Sequence, residues 1–240
     1  MKQSDNPVWF YNEFRQVGTD FNDPAVVAAY DRNQHSSTVE AEQALVEQLG
    51  ITAGDTVIDL GCGTGTFAIQ AALTGARVHA VDVSQPMLAY ARQKAIAAGL
   101  SDRIRFHHQG FLTYNHNAAP ADFVITQAAM HHLPDFWKMV VLLRIATMLR
   151  PDGVFYLWDT VFSFPPSEFQ AHIEAWIARA AKPTGEGWTV TDFETHVRDE
   201  YTTFSWIIEC MLEEAGFVIE TVERASSVIT AYTCRKKCSS

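Results

Sequence analysis

A run of glycines behind an acidic residue stands where a strand gives way to a helix. The segment Asp59-Leu60-Gly61-Cys62-Gly63-Thr64-Gly65 follows a β-branched run at 56–58 and precedes a stretch with helical character. Glycines at such a turn let the backbone approach a bound molecule closely, and the first turn of the helix offers free N–H groups. The pattern predicts a small-molecule site at the carboxyl end of a strand.

The spacing of the glycines separates this loop from two common phosphate-binding loops. The dinucleotide fingerprint needs a glycine where this chain has Thr66, and a P-loop needs a lysine that the segment lacks. Asp59 would repel a pyrophosphate and suits a cationic group. Asp82 ends the next predicted strand, where a carboxylate can accept hydrogen bonds from both hydroxyls of a ribose. S-adenosylmethionine, which has an ammonium and a sulfonium group and no phosphate, meets these requirements.

Alternating strands and helices must position this loop. Short runs rich in β-branched and aromatic residues predict strands at 56–60, 77–81, 104–107, 122–126 and 154–158, with helices between them. Such alternation indicates right-handed crossovers and a mainly parallel sheet whose strands are buried on both faces. The fold class is therefore α/β, Rossmann-like and doubly wound.

Further elements flank the alternating core. Residues 22–49 are expected to form N-terminal helices, and an aromatic-rich insertion follows strand five at about 160–200. Two last strands, at 217–219 and 227–232, are expected to pair antiparallel because a short polar turn joins them. They complete a seven-stranded sheet with an antiparallel last strand.

Composition limits the partners. Lys and Arg number 18 against 28 Asp and Glu, a net charge of −10, which is not the basic balance of a nucleic-acid-binding protein. No stretch approaches the ~20 apolar residues of a membrane span, and the first ten residues lack the apolar core of a signal peptide. We expect a cytoplasmic monomer or homodimer with four reduced cysteines. No metal site is predicted, because no Cys/His pair has zinc-site spacing.

Four motifs in chain order resemble those of the class I S-adenosylmethionine-dependent methyltransferases, and most resemble the small-molecule members of ubiquinone-biosynthesis type. They are Asp59–Gly65, Val81–Leu88, Ala121–Leu133 and Leu149–Val154. The resemblance covers about residues 40–160. It implies methyl transfer from S-adenosylmethionine to a small-molecule acceptor, with S-adenosylhomocysteine as the product. Transfer would be an in-line displacement that relies mainly on proximity and orientation.

The resemblance also implies roles for residues at the cofactor. Asp82 would bind the ribose, and Gln127 would lie near the methionine ammonium or the sulfonium. Where the family often has an acid after strand three, this chain has Phe111, so we expect adenine to be held by backbone groups and by the Phe111 ring. The predicted cofactor-binding residues of the core are Asp59, Gly61, Cys62, Gly63, Gly65, Asp82, Val83, Met87, Gly110, Phe111 and Gln127.

An aromatic segment precedes the core fold. We predict that residues 1–35 form an N-terminal helical lid and that residues 36–240 form the methyltransferase domain. Tyr11 or Tyr30 could touch the sulfonium end of the cofactor. Alternatively, the rings simply cover helices of the core. The aromatic residues of the segment are Phe10, Tyr11, Phe14 and Tyr30.

Three residues at the ends of strands four and five are candidates for catalysis. A neutral His131 or His132 could accept a proton from an acceptor hydroxyl, although a histidine here can equally pack or cap the next helix. Asp159 could bind a cationic acceptor or cap the lid. The polar run 196–201 could line the acceptor pocket, but a solvated turn before a helix is favoured.

The insertion suggests a place for the acceptor. Its aromatic side chains predict the walls of a pocket for an apolar or planar molecule, or else a dimer interface. These side chains are Phe162, Phe164, Phe169, Trp176 and Trp188.

Two other functions stay open at this level. One is a protein that binds S-adenosylmethionine or S-adenosylhomocysteine without catalysis. The other is a nicotinamide-dependent oxidoreductase, against which the missing third glycine and Asp59 count. The sequence does not identify the acceptor or say whether O, N, C or S is methylated.

Overall fold

The computed structural model describes residues 7–15, 17–18, 21–33 and 38–238. The predicted boundary between residues 35 and 36 lies outside these ranges. No helix within them is long and apolar enough to cross a membrane.

The helices are α1 (Pro24–Asn33), α2 (Val39–Leu49), α3 (Thr66–Leu73), α4 (Gln85–Ala97), α5 (Asp135–Met148), α6 (Phe169–Ala180), α7 (Val190–Asp199) and α8 (Ser205–Glu214). The strands are β1 (Thr56–Leu60), β2 (Arg77–Asp82), β3 (Ile104–His108), β4 (Ala121–Gln127), β5 (Leu149–Phe162), β6 (Thr203–Phe204), β7 (Phe217–Arg224) and β8 (Ile229–Lys236).

The sheet has the order β3-β2-β1-β4-β5-β8-β7. Strands β1 to β5 pair in parallel, and β8 lies antiparallel between β5 and β7. The two-residue strand β6 pairs with the end of β5. The predicted α/β class, with a mainly parallel sheet and an antiparallel last strand, is therefore confirmed.

Helices cover both faces of the sheet because successive side chains of each central strand point to opposite sides. In β1, Ile58 packs into a core formed with α5 and α8, while Val57 packs into a core formed with α2, α3 and α4. Both side chains are completely buried. Each such burial contributes about 1.5–3 kcal/mol, so the central strands are held rigidly and their carboxyl ends are fixed in space.

The register of the sheet brings the chemical residues to one edge. Leu60 pairs with Val81, and Asp59 pairs with Ile125, so Asp82 and Gln127 lie just beyond the glycine loop. The helix that follows β2 starts with a side-chain cap. Ser84 caps α4 by accepting from the Met87 N–H at 3.2 Å.

Several elements differ from the prediction. Strands β7 and β8 run on to Arg224 and Lys236, and the short strand β6 was not predicted. Strand β5 is longer than 154–158 because Leu149 pairs with Ala121 at one end and β6 and β8 supply partners at the other. Helix α7 was not predicted. Its signal is a capping box in which Thr189 and Asp192 exchange side-chain to backbone hydrogen bonds.

Candidate functional site

A cleft opens at the carboxyl ends of β1, β2 and β4, beneath residues of the N-terminal region. The space inside it is about 850 Å³, counting the part open to solvent. We call it the main cleft. Its lining residues are Glu13, Arg15, Val17, Phe21, Tyr30, Gly61, Gly63, Asp82, Val83, Ser84, Met87, Gly110, Phe111, Gln127, Ala128, Ala129, His132 and Leu133.

A second space, the inner cavity, lies against the glycine loop and shares part of its wall with the main cleft. The shared residues are Tyr30, Gly61, Gly63, Gln127 and Ala128. The remaining walls of the inner cavity are Asp59, Cys62, Thr64, Thr66, Phe67 and Trp158.

The structure brings most of the predicted cofactor residues to these two spaces. Tyr30, Asp59, Gly61, Cys62, Gly63, Asp82, Val83, Met87, Gly110, Phe111 and Gln127 all line one or both of them. Gly65 does not. It starts α3 with φ +77°, and a Cβ there would lie 2.9 Å from the Cβ of Ala91, so its role is the close packing of α3 on α4.

Tyr11 also lies outside both spaces. Its hydroxyl donates to the carbonyl oxygen of His132 at 3.1 Å, and its ring packs near Trp137 and Tyr201. Burial, with Tyr201 beside it, raises the pKa of Tyr11 to about 12. Tyr11 thus fastens the N-terminal segment to the turn after β4.

Asp59 is buried in a strongly anionic setting. Its Oδ2 has no hydrogen-bond partner among the described residues. Burial raises the pKa of Asp59 well above its usual range, and the carboxylates of Glu42 and Asp82 raise it further. Glu42 is itself buried and accepts from the amide Nε2 of Gln127 at 2.9 Å. The inner cavity therefore favours a ligand that brings a positive charge.

Asp82 shapes the glycine loop as well as the cleft. Its two carboxylate oxygens accept from the N–H of Gly63 at 2.8 Å and from the N–H of Ser84 at 2.7 Å. Burial raises its pKa, against these two hydrogen bonds. Each oxygen keeps a further lone pair for a ligand donor, so Asp82 can take two hydroxyls.

Backbone strain marks the floor of the cleft. Ala128, at the end of β4, has φ +47°, a conformation that a side-chain-bearing residue adopts at a cost of about 1–3 kcal/mol. Its N–H donates to the carbonyl oxygen of Trp158 at 2.8 Å, which holds it there. The next residue, Ala129, approaches Gly61 so closely that a Cβ on Gly61 would lie 2.5 Å from its own Cβ.

Glu13 is a cleft residue that the sequence interpretation missed. Its carboxylate accepts from the N–H of Leu112 at 2.8 Å and from the N–H and hydroxyl of Thr113 at 2.9 and 2.7 Å. An acid expected after β3 is replaced by Phe111, and Glu13 brings a carboxylate to the same turn from the N-terminal region. Burial raises the pKa of Glu13. No local motif signals this residue, because its partners are about a hundred positions away.

The three candidate catalytic residues separate into two environments. His132 lines the main cleft, whereas His131 and Asp159 lie outside it and are buried. Burial, with the neighbouring His131 adding to it, lowers the pKa of His132 to about 3. Burial opposes a charge on His131, but the carboxylate of Asp159 raises its pKa overall.

Asp159 binds the turn after β4 instead of facing the cleft. Its Oδ1 pairs with His131 Nδ1, and its Oδ2 accepts from the His131 N–H at 3.0 Å. The carboxylate also accepts from the N–H of Thr160 at 2.7 Å. The structure therefore places Asp159 and His131 outside the main cleft.

The polar run 196–201 is not the solvated turn that the sequence favoured. His196 and Glu200 are buried, at the end of α7 and just after it. The reason is tertiary: Glu200 Oε2 lies 3.3 Å from His131 Nε2, and the Tyr201 N–H donates to the His131 carbonyl oxygen at 2.8 Å. Only Arg198 and Asp199 form an exposed pair.

The aromatic residues of the insertion form a small core of their own. Phe164 and Trp176 are buried together with Phe193 and Val228, and Phe162 and Trp188 pack around them. Phe169 is exposed. None of the five predicted pocket-wall residues lines the main cleft.

Comparison with known proteins places these features in a family. Residues 57–153 match the family described as a methyltransferase domain. The chain is 26% identical over 183 residues to 27-O-demethylrifamycin SV methyltransferase of Amycolatopsis mediterranei, covering 71% of this chain and 66% of that protein. It is 33% identical over 120 residues to methyltransferase GfsG of Streptomyces halstedii, covering 50% of this chain and 42% of that protein. The chain thus spans less than two thirds of the length of either relative.

A solved structure shares the fold. The crystal structure of magnesium protoporphyrin IX methyltransferase from Synechocystis PCC 6803 with bound SAM aligns with a TM-score of 0.60 at 19% identity. The alignment covers 94% of this chain and 88% of that one. At this identity the likeness concerns the fold.

Proposed function

We propose that this chain is a class I S-adenosylmethionine-dependent methyltransferase that methylates a small molecule held in the main cleft; its residues 57–153 match the methyltransferase-domain family. One observation carries the proposal. The glycine loop lines both spaces, between Asp59 of the inner cavity, whose Oδ2 has no partner among the described residues, and Asp82 of the main cleft.

The residues of this region fit S-adenosylmethionine. The inner cavity holds a buried carboxylate oxygen without a partner, beside two further carboxylates, and an ammonium group would offset this charge. Asp82 stands at the end of β2, where its oxygens can accept from the ribose hydroxyls. Met87 and Phe111 offer apolar surfaces to the adenine.

S-adenosylmethionine supplies a methyl group on a sulfonium, which is an already activated carbon. The protein then has to bind, orient and keep water out. Glu13, Phe21 and Tyr30 form the N-terminal wall of the cleft and lie over the cofactor residues of the core. We propose that this wall is the lid, built mostly from turns and from α1.

His132 is the residue that we assign to the acceptor. It is half-buried, and its neighbours at this end of the cleft are Ala129 and Leu133. Because the relative from Amycolatopsis mediterranei is named for a 27-O-demethyl compound, we propose a hydroxyl acceptor. The imidazole of His132 would accept a hydrogen bond from that hydroxyl and aim its oxygen at the cofactor.

Binding and turnover test the proposal separately. Isothermal titration with S-adenosylmethionine, S-adenosylhomocysteine and NAD should give binding of the first two alone. Release of S-adenosylhomocysteine should then depend on a hydroxylated small molecule from an acceptor panel. Binding of NAD alone would overturn the proposal. Tight binding of both adenosyl compounds without turnover on any acceptor would support a non-catalytic binding protein instead.

The variant Asp82→Asn tests the cofactor site. It replaces a charged acceptor by a neutral one, and we expect S-adenosylhomocysteine to bind at least tenfold more weakly, a loss of about 1.4 kcal/mol. Asp102→Asn is the matched control, because Asp102 is exposed in the turn before β3. Equal affinity of the two variants would refute the assignment of Asp82 to the ribose.

A further inference from the structure

Outside the cleft, three metal-ligating side chains converge in the protein interior. His131 lies in the turn after β4, His196 in the last turn of α7, and Glu200 directly after that helix. One ligand atom from each lies within 4.8 Å of the others. All three side chains are buried, with side-chain exposures of 6%, 2% and 3% in that order.

The hydrogen bonds around this cluster direct two ligand atoms toward each other. His131 Nδ1 pairs with Asp159, so the proton of a neutral His131 ring lies on Nδ1. The lone pair of Nε2 then faces Glu200 Oε2 at 3.3 Å. Two acceptors that face each other in a buried place repel unless a proton or a metal ion lies between them.

The imidazole of His196 also faces Glu200. His196 Nε2 lies 2.9 Å from the hydroxyl of Thr202, which leaves its Nδ1 directed toward Glu200. His196 Nδ1 and Glu200 Oε2 are both buried and lie in close contact with each other, and neither has a further hydrogen-bond partner among the described residues. Both atoms therefore stand where a shared ion could take them as ligands, together with His131 Nε2.

We propose that His131, His196 and Glu200 bind a divalent transition-metal ion of the Zn²⁺ class. Two imidazole nitrogens and one carboxylate oxygen are ligands that this ion accepts. Ligands at about 2.0–2.1 Å from a tetrahedral ion stand about 3.3–3.4 Å apart, as His131 Nε2 and Glu200 Oε2 do. The contact between His196 Nδ1 and Glu200 is closer than that, so the Glu200 side chain rotates slightly when the ion binds.

The surroundings match a metal site in a second way. Asp159 and Thr202 each engage the far nitrogen of one imidazole, which fixes the ring and directs the other nitrogen to the ion. The nearby charges are the carboxylates of Asp159, Glu200 and Asp135 and the ammonium of Lys138, which pairs with Asp135 and with the Tyr201 carbonyl oxygen. With neutral imidazoles their sum is −2, so a dication is electrostatically acceptable.

The site would tie the insertion to the sheet. Its ligands join α7 to the turn after β4, and the rings of His131 and His132 lie 4.3 Å apart, centre to centre. A bound ion would thus hold the acceptor end of the main cleft in place. A spacing search for cysteine and histidine pairs misses it, because the ligands are a His-x-x-x-Glu pair and a histidine 65 positions earlier.

Direct metal binding tests the proposal without reference to methyl transfer. Protein stripped with a chelator is titrated with Co²⁺, followed by visible absorption, and with Zn²⁺ against a chromophoric chelator. We expect one ion per chain and the d–d bands of low-coordinate Co²⁺. In long-range ¹H–¹⁵N spectra of the wild type, Zn²⁺ should shift the Nε2 of one histidine and the Nδ1 of another.

Matched variants locate the ion. Glu200→Gln should weaken Zn²⁺ binding at least tenfold. Glu168→Gln removes the other i,i+4 carboxylate–imidazole pair of the insertion, in which the exposed Glu168 lies 3.4 Å from His172, and should leave binding unchanged. Absence of stoichiometric binding by the wild type would overturn the proposal, as would equal binding by Glu200→Gln and the wild type. If Glu200→Gln fails to fold, as judged by circular dichroism, the wild-type histidine spectra decide alone.

Discussion

Adding a single methyl group at Gly63 should weaken ligand binding while lowering the stability of the fold only modestly. Gly63 has φ +52°, and a Cβ built on it meets no atom within 4 Å. The glycine lines both the main cleft and the inner cavity, so this open space is the space that a ligand would fill. Gly63→Ala therefore places a methyl group in the site without disturbing the packing around it.

The neighbouring Gly61 supplies the comparison. Gly61 has φ +77°, and its added Cβ would lie 2.5 Å from the Cβ of Ala129. Both variants carry the cost of a left-handed alanine, about 1–2 kcal/mol. Gly61→Ala adds an overlap with a fixed strand end, worth about 1–3 kcal/mol more. In a chain of this size each kcal/mol lowers the melting temperature by about 2–4 °C.

Calorimetry measures both effects. We expect Gly63→Ala to melt a few degrees below the wild type and Gly61→Ala clearly lower. In isothermal titration Gly63→Ala should bind S-adenosylhomocysteine at least tenfold more weakly, which is about 1.4 kcal/mol. Wild-type affinity in Gly63→Ala would show that the space beside Gly63 is not where the ligand lies. A melting temperature of Gly63→Ala below that of Gly61→Ala would contradict the packing argument.

Two further predictions concern the charges and the acceptor. The pKa of Asp59 is raised by burial and by Glu42, so the folded state holds its proton more tightly than the unfolded state, and stability falls as the pH rises above the usual carboxyl range. Asp59→Asn should therefore be more stable than the wild type at pH 7.5, by roughly 1–3 kcal/mol, and this gain in stability should vanish near pH 4. Urea melts of both proteins at the two pH values measure the gain. An equal gain at both pH values would contradict the prediction. His132→Asn should leave the affinity for S-adenosylhomocysteine unchanged and lower kcat by at least tenfold on a hydroxyl acceptor, and an unchanged kcat would remove His132 from the reaction.

The sequence by itself predicted the residues that we propose for the cofactor. The glycine loop, Asp82, Gly110 and Gln127 each stand at the end of a parallel strand or just after it, so they all reach the same edge of the sheet, in the order β3, β2, β1, β4 across it. Local patterns suffice here because the residue types, the strand periodicity and the helix caps are all encoded within a few positions. The α/β class and the antiparallel last strand follow from the same local signals.

The tertiary structure alone decided which residues surround the predicted cofactor residues. Glu13 reaches Thr113, Glu42 reaches Gln127, and Glu200 reaches His131, each across many tens of residues. Which helix end packs on which strand end depends on the total shape of two cores, and no short pattern carries that information. For this reason His196 and Glu200 looked like a solvated turn in the sequence and became the centre of a buried cluster in the fold.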